Sequence, residues 1–393
     1  MVAPTPYFAD RGCHVRIYEE ARAQKAIGND VRVVTYHLGR DEGDIPTDRT
    51  VRVPWYNKRD AGPSPHKVYL DALLLLKTLA VARRYRPHVL HAHLHEGILV
   101  ALPVARLLRI PAVFDVQGSL VGEMANHGAV KPGGAAWRTL RRLEAATYRW
   151  ADGLLLTNDS EQALQRDFDL EPRRVFSLRY GVDCRMFRPH APESLGDLRA
   201  TLGLPAERRI IVFLGVLSAY QGVDCLLEAA PRVLARCPDA HFLVMGYPHE
   251  KRYRAVAAER GVAERVTLPG RIDYARAARY LSLGEVAVSP KLTDAEGNGK
   301  LFNYMACGLP TVAFDMPGNR AVLANTGVYA PVGDARALAD ALLALLEQPE
   351  RGLALGRAAR ERAEREFSWE ATARETDRMY AALIERRGGA RAC

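Results

Sequence analysis

One stretch of the chain, AEGNGKLFNYMACGLPTVAFD at residues 295–315, combines residue types that suit a bound phosphate and a bound polyol. Gly297 and Gly299 let a ligand approach the backbone at the start of a helical pattern, where free amides and the helix dipole favour anions. Lys300 adds a positive charge in the first turn. Glu296 repels phosphate, but its carboxylate accepts hydrogen bonds from hydroxyl groups. A nucleotide-sugar joins phosphate to many hydroxyls, so the pattern indicates that class of ligand.

This stretch follows an apolar run at 285–290 that is typical of a buried strand. Ligands of parallel sheets bind beyond the carboxyl ends of the strands, which is where the stretch would lie. Its helical pattern stops at Gly308, a residue type that commonly terminates helices. An ordinary helix start is the alternative interpretation, with glycines for a turn and Glu296 as a favourable acid in the first turn. Spacing alone leaves both interpretations open.

Short apolar runs alternate with helical patterns along almost the whole chain. In the first half the strand candidates are 31–36, 88–94, 112–116, 153–157 and 174–179. In the second half they are 209–215, 241–246, 265–270, 285–290, 310–314 and 328–331. Apolar strands joined by helices are typical of parallel sheets that are covered on both faces. We therefore predict an α/β protein with two Rossmann-like, doubly wound domains.

A length of 393 residues favours more than one domain. The segment 188–208 is rich in proline and charge, and it lies between the last strand of one half and the first strand of the next. We predict an N-terminal domain at 1–187, this linker, a C-terminal domain at 209–366 and a final amphipathic helix within 367–393.

Six scattered cysteines argue against a disulfide framework or a zinc knuckle, and no apolar run or leader pattern indicates membrane insertion or export. A reducing cytoplasm is the expected location.

The net charge of +9 is unevenly distributed. Residues 1–190 carry 28 Lys and Arg against 21 Asp and Glu, whereas the remaining residues carry 27 against 25. The first half is therefore expected to attract anions. Nucleic acid is disfavoured, because no basic stretch is interleaved with aromatic residues. The segment 135–150, with its tryptophans and arginines, is a candidate for contact with anionic membrane, and an ordinary surface helix is the alternative.

The stretch at 295–315 resembles the retaining glycosyltransferases of the GT-B fold, family four, in which E-G-F-G or K-L-F-E-Y-M-A-x-G-x-P stands at this place. Four further segments resemble the same family: TPYFADRGCHVRIYEE (5–20), RPHVLHAHLHEG (86–97), SLRYGVDCRMFRP (177–189) and SWE (368–370). The resemblance implies two Rossmann-like domains that face a cleft. It also implies that the helix within 367–393 crosses back to the first domain.

By this resemblance, the second domain binds a nucleotide-diphosphate sugar without a metal or another cofactor. Glu296 would be catalytic and contact the sugar hydroxyls. The other donor-binding residues would be Gly12, Gly215, Arg271, Lys291, Gly297, Asn298, Gly299, Lys300 and Asn303. The acceptor, a glycan or a lipid-linked glycan, would bind mostly in the first domain, with His93 and His95 on the acceptor side.

The chain departs from the family at the positions that usually hold the diphosphate. The family's first loop of the second domain reads G-R-L-x-x-x-K-G, whereas this chain reads GVLSAYQG at 215–222. Val216 replaces the arginine and Gln221 replaces the lysine, so both cations are missing. A diphosphate leaving group needs charge stabilisation as its bond breaks. Lys300, Lys291 and Arg271 are the candidates to supply it, and Lys300 is preferred because it lies in the first turn of the helix.

Two further departures concern hydrogen bonding to sugars. Asn303 stands where the family usually has a second glutamate that binds the ribose hydroxyls, and an amide binds a diol without charge assistance. Gln117, which we place in the catalytic set with Glu296, replaces a histidine that contacts the donor sugar. Glutamine can donate and accept hydrogen bonds, but it cannot take up a proton near neutral pH. The missing proton acceptor matters less for a retaining mechanism than for an inverting one. In the mechanism usually proposed for this family, the departing phosphate accepts the proton of the acceptor hydroxyl.

The motif HAHLHEG supports a competing interpretation. On a strand, His91, His93 and His95 would share one face, and together with Asp115 they could bind a metal in a hydrolase. No later histidine cluster supplies further ligands. A third interpretation is a non-catalytic nucleotide-sugar-binding protein, and the four departures support it.

The function that we expect is that of a cytoplasmic retaining glycosyltransferase of the hexosyltransferase type. Its place would be in the synthesis of glycolipids, polysaccharides or cell-envelope glycans. Contact with the inner face of the membrane is part of this expectation, and binding to nucleic acid is not.

Overall fold

The computed structural model describes residues 1–10, 12–43, 45–58, 64–157, 164–165, 167–178, 180–294 and 297–389. The chain forms two compact units, and each contains one parallel sheet. The first unit comprises Met1–Tyr180, Ala295–Gly297 and Trp369–Cys393, and the second comprises Gly181–Asp294 and Asn298–Ser368. The predicted α/β class with two Rossmann-like sheets is confirmed.

The sheet of the first unit has seven strands in the order β3-β2-β1-β4-β5-β6-β7. The strands are β1 (Val2–Ala3), β2 (Val33–Thr35), β3 (Thr47–Arg49), β4 (Leu90–His93), β5 (Ala112–Val116), β6 (Gly153–Thr157) and β7 (Val175–Leu178). The helices are α1 (Gly12–Ala26), α2 (Lys67–Tyr85), α3 (Leu94–Leu108), α4 (Leu120–Asn126) and α5 (Ala135–Trp150). Strand β3 was not predicted from the sequence, because its residues Thr-Asp-Arg lack the apolar pattern of a strand.

The helices of the first unit form two layers. Helices α2, α3 and α5 pack side by side, whereas α1 packs against the final helix α14 (Trp369–Gly389). In α14, Met379 and Leu383 pack on the sheet residues Val113 and Leu155, and Trp369 packs near α1. These α14 residues lie on the apolar side that the sequence predicted for this helix.

The sheet of the second unit has six strands in the order β10-β9-β8-β11-β12-β13. The strands are β8 (Arg209–Leu214), β9 (Ala240–Met245), β10 (Val266–Gly270), β11 (Val286–Ser289), β12 (Thr311–Phe314) and β13 (Gly327–Ala330). The helices are α6 (Gly196–Thr201), α7 (Val223–Arg236), α8 (Glu250–Glu259), α9 (Ala277–Leu281), α10 (Lys300–Ala306), α11 (Pro317–Leu323), α12 (Ala335–Glu347) and α13 (Pro349–Glu366). Strand order reverses between β8 and β11, so the loops after these two strands lie next to each other.

Buried aliphatic and aromatic residues of the central strands and of α7 and α12 form the core of the second unit. This burial on both faces explains why the strands read as continuous apolar runs. Within the described residues, no helix combines the length and the apolar character that a membrane span requires.

Candidate functional site

The loop after β11 is anchored at its far end. Asn298 donates hydrogen bonds from Nδ2 to Ser289 Oγ (2.9 Å) and to Asn319 Oδ1 (2.8 Å). Asn319 is fully buried and in turn donates to the carbonyl of Phe314 (2.8 Å). The start of α10 is thus fixed to the carboxyl ends of β11 and β12. Glu296 lies outside the described residues, so its assigned role stays a prediction.

Lys300 lies against the loop at 215–222, in which Val216 and Gln221 replace the family's arginine and lysine. Its Nζ donates a hydrogen bond to Gln221 Oε1 and lies 5.0 Å from the centroid of the Phe213 ring. Gly215 makes room for it, because a Cβ there would come within 2.8 Å of Lys300 Cε and 3.1 Å of Nζ. A positive charge therefore sits beside position 221, although residue 221 itself is uncharged.

Tyr304 sets the distance between α10 and β8. Its side chain is fully buried, and its hydroxyl oxygen accepts a hydrogen bond from the backbone amide of Leu214 (2.8 Å). This bond brings the first turn of α10 next to Gly215. The helix ends at Ala306, close to the stop predicted at Gly308, and Gly308 adopts the left-handed conformation (φ 67°). Tyr304 and Asn319 are positioning residues that the sequence analysis missed, since neither departs from an ordinary helix pattern.

The other predicted donor-binding residues lie in varied surroundings. Lys291 is 1% exposed at the end of β11, whereas Arg271 is exposed after β10 with its guanidinium over the Tyr247 ring. Asn303 is half-buried one turn after Lys300, and Gly297 is exposed. The structure thus brings Gly215 and Lys300 together within the second unit, and it leaves Arg271 on a more distant strand.

In the first unit, Gln117 follows β5 and is held by Asp115. Its Nε2 donates to Asp115 Oδ2 (2.7 Å), and the same oxygen accepts a bond from His93 Nδ1 (2.9 Å). A carboxylate only accepts hydrogen bonds, so the amide nitrogen of Gln117 must face Asp115. The Gln117 carbonyl oxygen is therefore left to accept a hydrogen bond from a hydroxyl group.

Asp115 belongs to a buried network on the inner side of α1. Arg16 is ion-paired with Asp115, and its Nε donates a hydrogen bond to Glu20 Oε1 (2.8 Å). Burial opposes ionisation of Asp115, but the Arg16 guanidinium and the bond from His93 hold the pKa of this carboxyl well below its usual range. Burial and the Asp115 charge raise the pKa of Glu20 to about 8. At neutral pH a protonated Glu20 and the Arg16–Asp115 pair leave the network electrically balanced.

A metal is the alternative occupant of this network. Glu20, His91, His93 and Asp115 are the one set of described residues whose candidate ligand atoms lie within 4.8 Å of one another. Burial lowers the pKa of both histidines, which keeps them neutral. The guanidinium of Arg16 already lies against the Asp115 carboxylate and the Glu20 carboxyl group, so a divalent cation would have to compete with it. The expectation that no metal is required stays a prediction.

His95 does not join His91 and His93, so the prediction that all three share one strand face is wrong. Strand β4 ends at His93, and Leu94 takes a positive φ of 64° at the start of α3. His95 instead packs towards α5, where its Nδ1 lies 3.0 Å from Thr147 Oγ1. His93 and His95 are both buried, at 0% and 5% exposure, and their proposed acceptor-side roles stay predictions.

The loop before α1 is held by a histidine that the sequence analysis did not select. The amide of Ala9 donates to His14 Nδ1 (2.9 Å), so His14 Nε2 carries the hydrogen and donates to Thr5 Oγ1. Gly12 begins α1, and a Cβ added there would meet no atom within 4 Å. The space beside Gly12 is therefore open, as a residue facing a ligand requires.

The raised pKa of Glu20 predicts a pH-dependent stability. The folded state keeps a proton that the unfolded state releases near pH 4.5, so the associated stability is full below that pH and is lost as the pH rises through about 8. Glu20→Gln mimics the protonated side chain. We expect this variant to melt at the wild-type temperature near pH 5 and a few degrees above it near pH 9. An equal difference at both pH values would contradict the assignment.

Two family descriptions match the chain. Residues 11–181 match the "Glycosyl transferase 4-like domain", and residues 208–348 match "Glycosyl transferases group 1". Together the two segments span most of both units. The chain belongs to the group 1 glycosyltransferases, and its two Rossmann-like sheets are those of the GT-B fold.

Two curated relatives and one solved structure illustrate the similarity. A GDP-mannose-dependent monoacylated alpha-(1-6)-phosphatidylinositol monomannoside mannosyltransferase of Corynebacterium glutamicum is 32% identical over 48% of this chain and 51% of the relative, about half of its length. A D-inositol 3-phosphate glycosyltransferase of Frankia alni is 29% identical over 94% of both chains. The sucrose-phosphate synthase structure from Thermosynechococcus elongatus superposes with a TM-score of 0.81 at 22% identity over 98% of both chains, which establishes the shared fold.

Proposed function

We propose that this protein is a cytoplasmic retaining glycosyltransferase that moves a sugar from a nucleotide-diphosphate donor to an acceptor hydroxyl. The observation that carries the proposal is the Lys300 amine beside Gln221 and Gly215, at the carboxyl end of β8. It answers the strongest argument for a non-catalytic protein, which was the loss of both phosphate-binding cations. The names of the relatives mention inositol phosphate and a phosphatidylinositol mannoside, and they support a glycan or lipid-linked acceptor in cell-envelope synthesis.

In the proposed reaction, the bond between the anomeric carbon and the diphosphate oxygen breaks as the acceptor oxygen bonds to the same face of that carbon. The departing phosphate oxygen takes the proton of the acceptor hydroxyl, so no protein base is needed. Lys300 and the amides at the start of α10 stabilise the charge that develops on the diphosphate. Glu296 holds the sugar hydroxyls, and Gln117 accepts a hydrogen bond from a substrate hydroxyl. No step requires a metal.

The proposal is tested first with a thermal-shift screen of uridine, guanosine and adenosine diphosphate sugars. A donor that raises the melting temperature is then incubated with glycan and inositol-phosphate acceptors, and NMR reports the anomeric configuration of the product. We expect release of nucleoside diphosphate, a retained configuration and no effect of chelator. Donor binding without release under any condition would favour the non-catalytic interpretation. Activity that chelator abolishes would favour the metal-dependent one.

The position of the lysine can be tested by moving its charge. Lys300→Gln should weaken donor binding about 10- to 100-fold, because a hydrogen bond to a charged group contributes about 1.5–3 kcal/mol. The double variant Lys300→Gln with Gln221→Lys returns the charge to position 221 and should recover most of the affinity. Isothermal titration calorimetry with the donor from the screen measures both effects.

Lys251→Gln is the matched control, since Lys251 is exposed on α8 and carries the same charge. It should bind donor like the wild type. Unchanged affinity in Lys300→Gln would remove this residue from the site. Failure of the double variant to recover would show that the lysine acts through its own position rather than through charge near residue 221.

A further inference from the structure

The layer formed by α2, α3 and α5 has an unusual charge balance. These three helices contain nine Lys and Arg residues but only three acids, Asp71, Glu96 and Glu144. None of the three acids is exposed, and each has a partner in the unit. Asp71 accepts a bond from Tyr36, Glu96 is paired with Lys67, and Glu144 accepts from the amide of Leu120. Every exposed charge on this layer is therefore positive.

Six exposed arginines carry this positive charge: Arg83, Arg84, Arg106, Arg138, Arg142 and Arg149. In the described part of the chain, none of the six has an ion-pair partner. Helix α7 of the second unit differs, because Arg232 is paired with Asp340 and Arg236 with Glu347. On α5, the three arginines at positions 138, 142 and 149 follow helical spacing and share one face. Unpaired charge of one sign is thus concentrated on the outer side of the three helices.

Exposed apolar residues lie on the same three helices. Val68, Ala72, Leu76 and Ala80 are all exposed and follow one another at four-residue steps along α2. Val68 is 80% exposed and Leu76 is 61% exposed. Leu107 near the end of α3 and Trp150 at the end of α5 add 59% and 44% exposed side chains. A helix face that meets only water usually carries polar residues at such positions.

We propose that this three-helix face, defined by the exposed residues of α2, α3 and α5, rests on an anionic lipid membrane. Arginines attract acidic headgroups, and apolar side chains among them enter the boundary between headgroups and acyl chains. A nucleic acid would satisfy the arginines but would leave Val68 and Leu76 against its charged backbone. The inference rests on the proposed function only for the reason why the protein would bind a membrane, which is access to a lipid-linked acceptor.

The structure also modifies the contact that the sequence predicted at 135–150. Trp137 is half-buried, and the Arg141 guanidinium lies 5.4 Å from its ring and 4.6 Å from that of Phe168. Arg141 is further paired with Asp167. These two side chains are engaged within the unit, whereas Arg138 and Arg142 remain exposed. The apolar part of the contact is therefore supplied mainly by α2.

Vesicle flotation of the full chain tests the proposal without donor or acceptor. We expect the protein to float with vesicles of equal parts phosphatidylcholine and phosphatidylglycerol, to remain behind with phosphatidylcholine alone, and to be released by added salt. Arg138→Glu, Arg142→Glu and Arg149→Glu combined should lower the bound fraction at least tenfold. The control combines Arg336→Glu, Arg351→Glu and Arg357→Glu, three exposed arginines of the second unit with the same change of net charge. It should float like the wild type.

A second variant separates the apolar contribution. Val68→Ser with Leu76→Ser should lower flotation severalfold while leaving its salt dependence intact. Equal loss in the two arginine variants would show that net charge alone drives binding and would overturn the proposal. Flotation with neutral vesicles, or none with acidic ones, would overturn it as well. Because the assay needs no transfer, flotation in a protein that binds no nucleotide-sugar would leave this inference standing and reject the proposed function.

Discussion

Replacing Glu296 with alanine should remove most sugar transfer, lowering turnover about 100- to 1,000-fold, while the melting temperature stays within a few degrees of the wild type. Loss of one preorganised group that acts on the transition state typically has an effect of this size. The described residues that flank positions 295–296 are anchored: Asp294 Oδ2 accepts a bond from the Gly318 amide, and Asn298 is bonded to Ser289. The backbone on either side is thus held by bonds that the substitution leaves in place.

Asp294→Asn is the matched control for Glu296→Ala. It removes a neighbouring negative charge from the same loop but keeps an oxygen that accepts from Gly318. We expect nearly normal turnover from this control with the donor identified by the screen. Near-normal turnover in Glu296→Ala would instead reject Glu296 as the residue that binds the sugar hydroxyls. A parallel loss in both variants would mean that the shape of the loop, rather than the carboxylate at 296, determines activity.

The fold was predictable because its signals are local. Strands buried on both faces are continuous apolar runs, and the strand candidates at 112–116 and 153–157 coincide with β5 and β6. The prediction failed where tertiary contacts override the pattern. In the sequence, His95 follows His91 and His93 at the same two-residue spacing. In the structure, Leu94 takes a positive φ, and the chain turns into α3. Strand β3 has no apolar signal and forms because it pairs along the edge of β2.

The candidate site was predictable only in part, for a related reason. A single sequence shows that Val216 and Gln221 lack the family's charges, but it does not show which distant residue replaces them. Lys300 and Gln221 are 79 residues apart and meet because β8 and β11 are neighbours in the sheet. Arg16 and Asp115 are 99 residues apart and meet through the packing of α1 on its sheet. Such pairs follow from topology, so they become visible only in the folded chain.

Truncating Asp115 to alanine should destabilise the protein by about 3–5 kcal/mol, because it leaves the buried Arg16 without its main partner. Glu20 limits the loss. Without the Asp115 charge nearby, the pKa of Glu20 falls, and its carboxylate can ionise and pair with Arg16. We therefore expect the single variant to lose about 3 kcal/mol of its free energy of unfolding, the lower end of this range, in urea denaturation near pH 7. In the Glu20→Gln background no carboxylate of the network remains, and the same truncation should cost distinctly more.

Asp340→Ala provides the stability control, since it breaks a solvent-exposed pair with Arg232 and should lower the free energy of unfolding far less than Asp115→Ala does. Asp115→Asn separates stability from positioning. Asparagine keeps the shape but also offers an NH2 group, so the Gln117 amide is no longer forced to present its oxygen to substrate. We expect a lower kcat in this variant even at temperatures where it is fully folded. If kcat stayed normal while stability fell, Asp115 would be a structural residue alone, and the Gln117 oxygen would have no assigned role in binding substrate.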